Sequence, residues 1–227
     1  MQGGRVLLAF LLLCGLAACQ QQGQSPQTAK AVGSPSYIDA NGMMPVNPTG
    51  MPHELPIAGD YRHAGSGLVL PETTNGFHRD DLAGFTDDDS DVSANYVLHS
   101  ERVGISVYIF PVWAAQHRAR NVSEIPQLCE EAFAGMKAAA EYRLKTPKLL
   151  QENAEPNPRF PDAVMSRMAL YGADGDLLSD SPPVRSEIYM SCGVGKIWIV
   201  QYRITYPQDY DAETLRRDLM MSVPVIP

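Results

Sequence analysis

One long amphipathic segment, bracketed on both sides by strand-like stretches, most constrains what this chain can fold into. From about Ser123 to Leu144, Ile125, Leu128, Ala132, Met136 and Ala140 recur at intervals of three and four, with Cys129 and Phe133 flanking the stripe. That period predicts one helix with a single buried face, and it makes Met136 a core residue, not a ligand. Ser123 can cap the helix, Pro126 is tolerated in its first turn, and Glu124, Glu130 and Glu131 sit toward the positive end of its dipole. The apolar stripe needs a partner, and the neighbouring segments read as strands. Asn95 to His99 and Val103 to Pro111 form an expected hairpin with its turn near Ser100-Glu101-Arg102. In its second arm Ile105, Val107 and Ile109 alternate with Ser106, Tyr108 and Phe110. Both faces are largely apolar, which predicts a central strand covered on two sides. After Pro147, Lys148 to Gln151, Val164 to Tyr171, Val184 to Cys192 and Lys196 to Tyr206 are β-rich, and Asp211 to Ser222 reads as a last helix with Leu215 and Leu219 on one face. The order predicts an α+β fold, an antiparallel sheet with the long helix and a C-terminal helix packed on it.

The beginning of the chain concerns location. Arg5 lies in a short basic start, Val6 to Leu13 is an unbroken apolar run, and Leu16-Ala17-Ala18-Cys19 follows. This is the order of n-region, h-region and small-residue cleavage site. A spanning helix needs about 20 apolar residues, whereas the stretch from Val6 to Ala18 is shorter and runs into Gln20-Gln21-Gln22. Cys14 follows Leu11-Leu12-Leu13, which lack the small residues a peptidase pocket needs. The Leu-Ala-Ala-Cys tetrapeptide resembles the lipobox of bacterial lipoproteins. The resemblance implies a signal peptide over residues 1–18 and acylation of Cys19, which becomes the new N-terminus. It implies an envelope protein held to the membrane by lipid, with Gln20 instead of Asp giving an outer-membrane address and the domain facing the periplasm. One acyl chain holds only marginally, while two or more anchor stably.

Residues 19–67 are expected to form the lipidated Cys and a disordered tether, because Pro26, Pro35, Pro45, Pro48, Pro52 and Pro56 fall among Gly, Gln and Ser without helical or strand period. Folded structure is expected from Leu68 onward, as one domain over residues 68–227. Met43, Met44, Met51 and His53 supply thioether and imidazole, a soft ligand set suited to Cu(I), but nothing in the sequence makes them converge. The formal charge is −8, and losing Arg5 gives −8 − 1 = −9. Such a balance disfavours nucleic acid as a partner. Of the four cysteines, Cys14 leaves with the signal and Cys19 takes lipid, leaving Cys129 and Cys192. An even pair in an oxidising compartment reads as a disulfide, with two reduced buried thiols as the alternative. Cys192 shares the more apolar strand face with Ile188 and Met190, and Cys129 flanks the helix stripe, so both thiols point into the layer between helix and sheet.

Chemical motifs are sparse. Asp87, Asp89, Asp91 and Ser93 copy the alternate spacing of a calcium loop, but Val92 replaces the turn Gly and Leu98 the closing Glu, so a solvated acidic loop is expected. Gly193-Val194-Gly195-Lys196 lacks the first Gly of a phosphate loop, since Met190 stands there. Asp174 and Asp176 around Gly175 read as hairpin turn residues. His53, His63, His78, His99 and His117 are scattered and read as surface or turn residues, and no nucleophile elbow, His-Glu-x-x-His or Cys-x-x-Cys occurs. Leu-Pro before Gly76-Phe77, Gly104-Ile105-Ser106-Val107-Tyr108-Ile109 before the long helix, and Ile197 to Pro207 before the last one resemble the PsbP-like and DcrB-like group over roughly Leu68 to Pro227. That resemblance implies an accessory or binding role, without cofactor or catalysis, and a protein partner in the envelope. The alternatives are a periplasmic enzyme whose site assembles from distant residues and the Met/His copper carrier.

Overall fold

The computed structural model describes residues 43–44, 51–98, 103–113, 120–177, 182–224 and 226, all within one compact unit, Ser34–Pro227. The expected signal peptide, Cys19 and the first part of the tether lie outside the described residues. Nine strands form one sheet: β1 (His53–Glu54), β2 (Thr73–Thr74), β3 (Phe77–Gly84), β4 (Val92–Leu98), β5 (Val103–Pro111), β6 (Lys148–Ala154), β7 (Met165–Ala173), β8 (Val184–Val194) and β9 (Trp198–Pro207). Their order is β6-β7-β8-β9-β5-β4-β3-β1, with β2 also paired to β3, and every pairing is antiparallel. With α1 (Ile125–Arg143) and α2 (Glu213–Ser222), the fold is α+β. Among the described residues no helix is long and apolar enough to cross a membrane.

The two faces of the sheet are covered differently. On one, Val103, Ile105, Val107 and Ile109 of β5 lie beside Val200, Tyr202 and Ile204 of β9, all buried. Each such side chain contributes about 1.5–3 kcal/mol when fully removed from water. The Tyr202 hydroxyl donates to the Val223 carbonyl just beyond α2 at 2.7 Å, and Tyr96 donates to the Pro71 carbonyl at 2.8 Å. The C-terminal helix and the segment before β3 therefore seal this face. On the other face α1 packs over β7 and β8. Its start is set by Asn121, whose side chain accepts from the Ser123 amide while Glu124 reaches back to the Asn121 amide, both at 2.9 Å. This capping box displaces the expected Ser123 cap and opens the helix with one turn of 3-10 geometry, Val122–Glu124.

The structure departs from the sequence reading in four places. The folded part begins upstream of Leu68: β1 pairs with Gly84 and Ala83 of β3, and Tyr61–Arg62 pairs with Val69–Leu70. The cause is Arg79, fully buried, whose guanidinium donates to the carbonyls of Leu70, Ile57 and Gly59. It satisfies backbone groups of a segment too short in apolar residues to fold by periodicity. His63, expected at the surface, is also fully buried, with Nδ1 bonded to Ser66 Oγ at 2.7 Å and its ring edge-on to Trp198. Burial pushes its pKa down to about 4. Strand β5 is central, but only one of its faces is closed; Ser106, Tyr108 and Phe110 are half-buried. Finally, Asp176 is not a turn residue. Gly175–Asp176 pairs with Leu144–Lys145, and the Asp176 carboxylate is buried against Arg143.

Candidate functional site: a cleft under the long helix

The half-covered face of β5 becomes the floor of a cleft. Register places Tyr108 of β5 opposite Gln201 of β9, and Ser106 opposite Arg203. Because side chains alternate along a strand, Ser106, Tyr108 and Phe110 share one side with Ile199, Gln201, Arg203 and Thr205, the side on which α1 lies. Ile188 of β8, opposite Arg203, belongs to the same floor. Between this floor and the helix lies a cavity of about 390 Å³, roofed by Leu128, Ala132, Gly135, Met136 and Ala140 of α1. A second cavity of about 410 Å³, bordered by Asp80, Asp81, Asn95, Ser106, Arg143 and Thr205, shares Tyr108 and Arg203 with the first. The first chamber is mostly apolar and the second polar, and Arg203 stands where they meet.

Electrostatics single out Arg203. Its Nε and one terminal nitrogen, Nη2, are buried and donate to no partner. Burial, and then the neighbouring Arg143, pull its pKa below the ordinary arginine value. The surrounding polar groups are largely committed elsewhere: Arg143 Nε lies 3.0 Å from Asp176 Oδ2, Asn95 donates to Asp81 at 2.9 Å, and the Ser106 hydroxyl donates to Asn95 at 2.6 Å. Buried N–H groups left without an acceptor are unfavourable, and an anionic or carbonyl-bearing group meeting this half-buried cation would offset part of that. Chemically, the arrangement can receive an anion at the inner end of an apolar slot.

The disulfide between Cys129 and Cys192 is formed, with Cα atoms 5.8 Å apart and both residues fully buried. Cys129 belongs to the roof helix and Cys192 to β8 on the floor side, so the bridge clamps α1 to the sheet beside the cleft. Three of the soft-ligand residues lie in different surroundings. Met44 is buried in the core, Met51 is 83% exposed, and His53 Nε2 lies 2.9 Å from Asp89 Oδ1. The acidic loop is closed on itself: the Thr86 hydroxyl accepts from the amides of Ser90 and Asp91, and Asp88 also accepts from Ser90. Among the described residues no group of three or more His, Cys, Asp or Glu side chains could hold a metal ion.

Sequence reading missed Tyr108, Arg143, Gly135 and Arg203. A signal existed in β9, where Gln201, Arg203 and Thr205 alternate with Val200, Tyr202 and Ile204. Polar residues on the helix-facing side of a central strand mark a site more readily than a surface. No family model matches the chain, and neither the curated proteins nor the solved structures give a match.

Proposed function

We propose that this chain is a lipid-tethered binding module of the bacterial envelope, attached through Cys19 and holding a small ligand in the cleft under α1. The observation that carries the binding reading is Arg203, a half-buried cation that lines two cavities and whose Nε and Nη2 have no hydrogen-bond partner. The anchor rests on Leu16-Ala17-Ala18-Cys19, and placement in the PsbP-like and DcrB-like group rests on the strand and helix patterns of residues 68–227. The role is accessory rather than catalytic on this reading, with an envelope protein as a further partner. Two measurements test it. Palmitate labelling should mark the wild-type chain and not Cys19→Ser; label retained by Cys19→Ser would refute the anchor. Native mass spectrometry of protein released gently from envelopes should show a small-molecule adduct that Gly135→Leu, which fills the cleft, lacks. Identical unliganded spectra for both proteins would remove the binding reading.

A further inference from the structure

Three features of the cleft specify what it takes. The first is its division into an apolar chamber and a polar one that meet at Arg203 and Tyr108. A ligand that fills both must itself be apolar at one end and polar at the other. Each chamber is within the size range of small-molecule sites.

The second is charge. Arg203 brings a cation with two unpartnered nitrogens, and Arg143, whose Nε is paired with Asp176, borders the same chamber. Asp80 and Asp81 bound that chamber as well, and Glu131 lies along the apolar one, so the positive ground is small. It suits one compact anionic group, and further negative charge would meet the carboxylates.

The third is Gly135. It sits in the middle of α1, where glycine is less favourable than alanine by about 0.8–1 kcal/mol. An added Cβ at this position would meet nothing within 4 Å, so no neighbouring atom requires glycine. Packing does not explain it. The residue is exposed at the rim of the apolar chamber, which a large side chain placed there would narrow.

We propose that the cleft binds a single-chain amphiphile ending in one compact anionic group, such as a fatty carboxylate, with its alkyl chain between α1 and β5 and its head on Arg203. The inference rests on the cleft being the binding site and adds the chemical class of the ligand. The head accepts from the Arg203 guanidinium where it borders the two chambers, in a charge-assisted hydrogen bond. The chain gains affinity from each buried CH₂.

Isothermal titration of the intact soluble domain with decanoate, decanol and butyrate, all as monomers, separates the contributions. Decanoate should bind, with decanol and butyrate each at least about tenfold weaker, since one lacks the charge and the other the chain. Arg203→Met should weaken decanoate by roughly 10- to 100-fold and leave decanol unchanged; Arg203→Gln provides a second variant if the first is poorly folded. Gly135→Leu should abolish both long-chain ligands. Equal affinity for decanoate and decanol, both lost in Gly135→Leu, would overturn the anionic assignment while leaving the cleft as a binding site. Butyrate binding as tightly as decanoate would reduce the site to one for a free anion and overturn the amphiphile. Absence of any decanoate heat would overturn the inference outright, and the adduct seen by native mass spectrometry then decides whether the cleft binds something else.

Discussion

Two arginines project from opposite faces of the same sheet, and their surroundings differ in a way that separates structure from function. Arg79 is fully buried on the sealed face; its Nε has no partner, but both its terminal nitrogens are used, donating to three backbone carbonyls of residues 57–70. Arg203 lies on the cleft face with two buried nitrogens unanswered. The first cation is consumed in holding the chain together. The second is held ready, at some expense in stability, for a group the protein does not itself supply. Buried polar groups in native folds are nearly always satisfied, so an exception beside a cavity marks a place for a ligand.

The contrast can be tested at several points. Reducing the Cys129–Cys192 bridge should have the largest effect. It closes a loop with a sequence separation of 63, which the chain-entropy account values at about 4 kcal/mol. A denaturant titration with and without reductant would show this as a lower midpoint. Next, Arg79→Met should destabilise by roughly 3 kcal/mol, because three carbonyls lose a charged donor. Limited proteolysis of that variant should open residues 51–67, the segment Arg79 ties down. A variant as protease-resistant as wild type would show that the segment is held by other contacts.

An effect of up to similar size concerns acid. His63 is neutral in the fold, with its pKa pushed down to about 4 by burial. The unfolded chain binds the proton near pH 6.5, so this residue's contribution is present above that pH and is lost as pH falls toward 4. Asp91, raised to about 6 by burial, works in the opposite direction over much of the same range, since ionising it is easier in the unfolded chain. The two nearly offset one another in wild-type protein. The difference between wild type and His63→Phe isolates the histidine. Between pH 6.5 and 4 the wild type should lose up to about 3 kcal/mol more than the variant. Parallel stability curves would show that His63 is not buried neutral.

These predictions also mark what was legible in the sequence. The helix, the meander and the disulfide were readable because each depends on a regular period. Leu128 and Met136 recur at helical spacing, and Ile188, Met190 and Cys192 alternate on one side of a strand. The packing of residues 51–67 was not readable, because two-residue pairings and a side chain bonding to distant carbonyls leave no periodic trace. Asp176 looked like a turn residue because Asp-Gly is a turn signal, and its pairing with Arg143 is long-range. For the cleft, Tyr108 and Phe110 resembled covered core residues; only the registry of β5 with β9 and the reach of α1 reveal that their face is half open.

The smallest effect after these is at Gly135. Gly135→Ala should raise stability by about 0.8–1 kcal/mol, since the helix gains propensity and the added methyl meets open space. A loss would mean that the glycine answers to packing after all, and the argument for a slot kept open would weaken.

If Arg203 serves a ligand and Arg79 serves the fold, the equilibrium stabilities of Arg203→Met and Arg79→Met, measured side by side in ligand-free protein, must differ. Arg203→Met should unfold at the wild-type denaturant midpoint or above it, because a half-buried cation with two unpartnered nitrogens has been replaced by an apolar chain. Loss of stability comparable to that of Arg79→Met, roughly 3 kcal/mol, would contradict it, for then Arg203 would be holding the fold together like its counterpart on the sealed face.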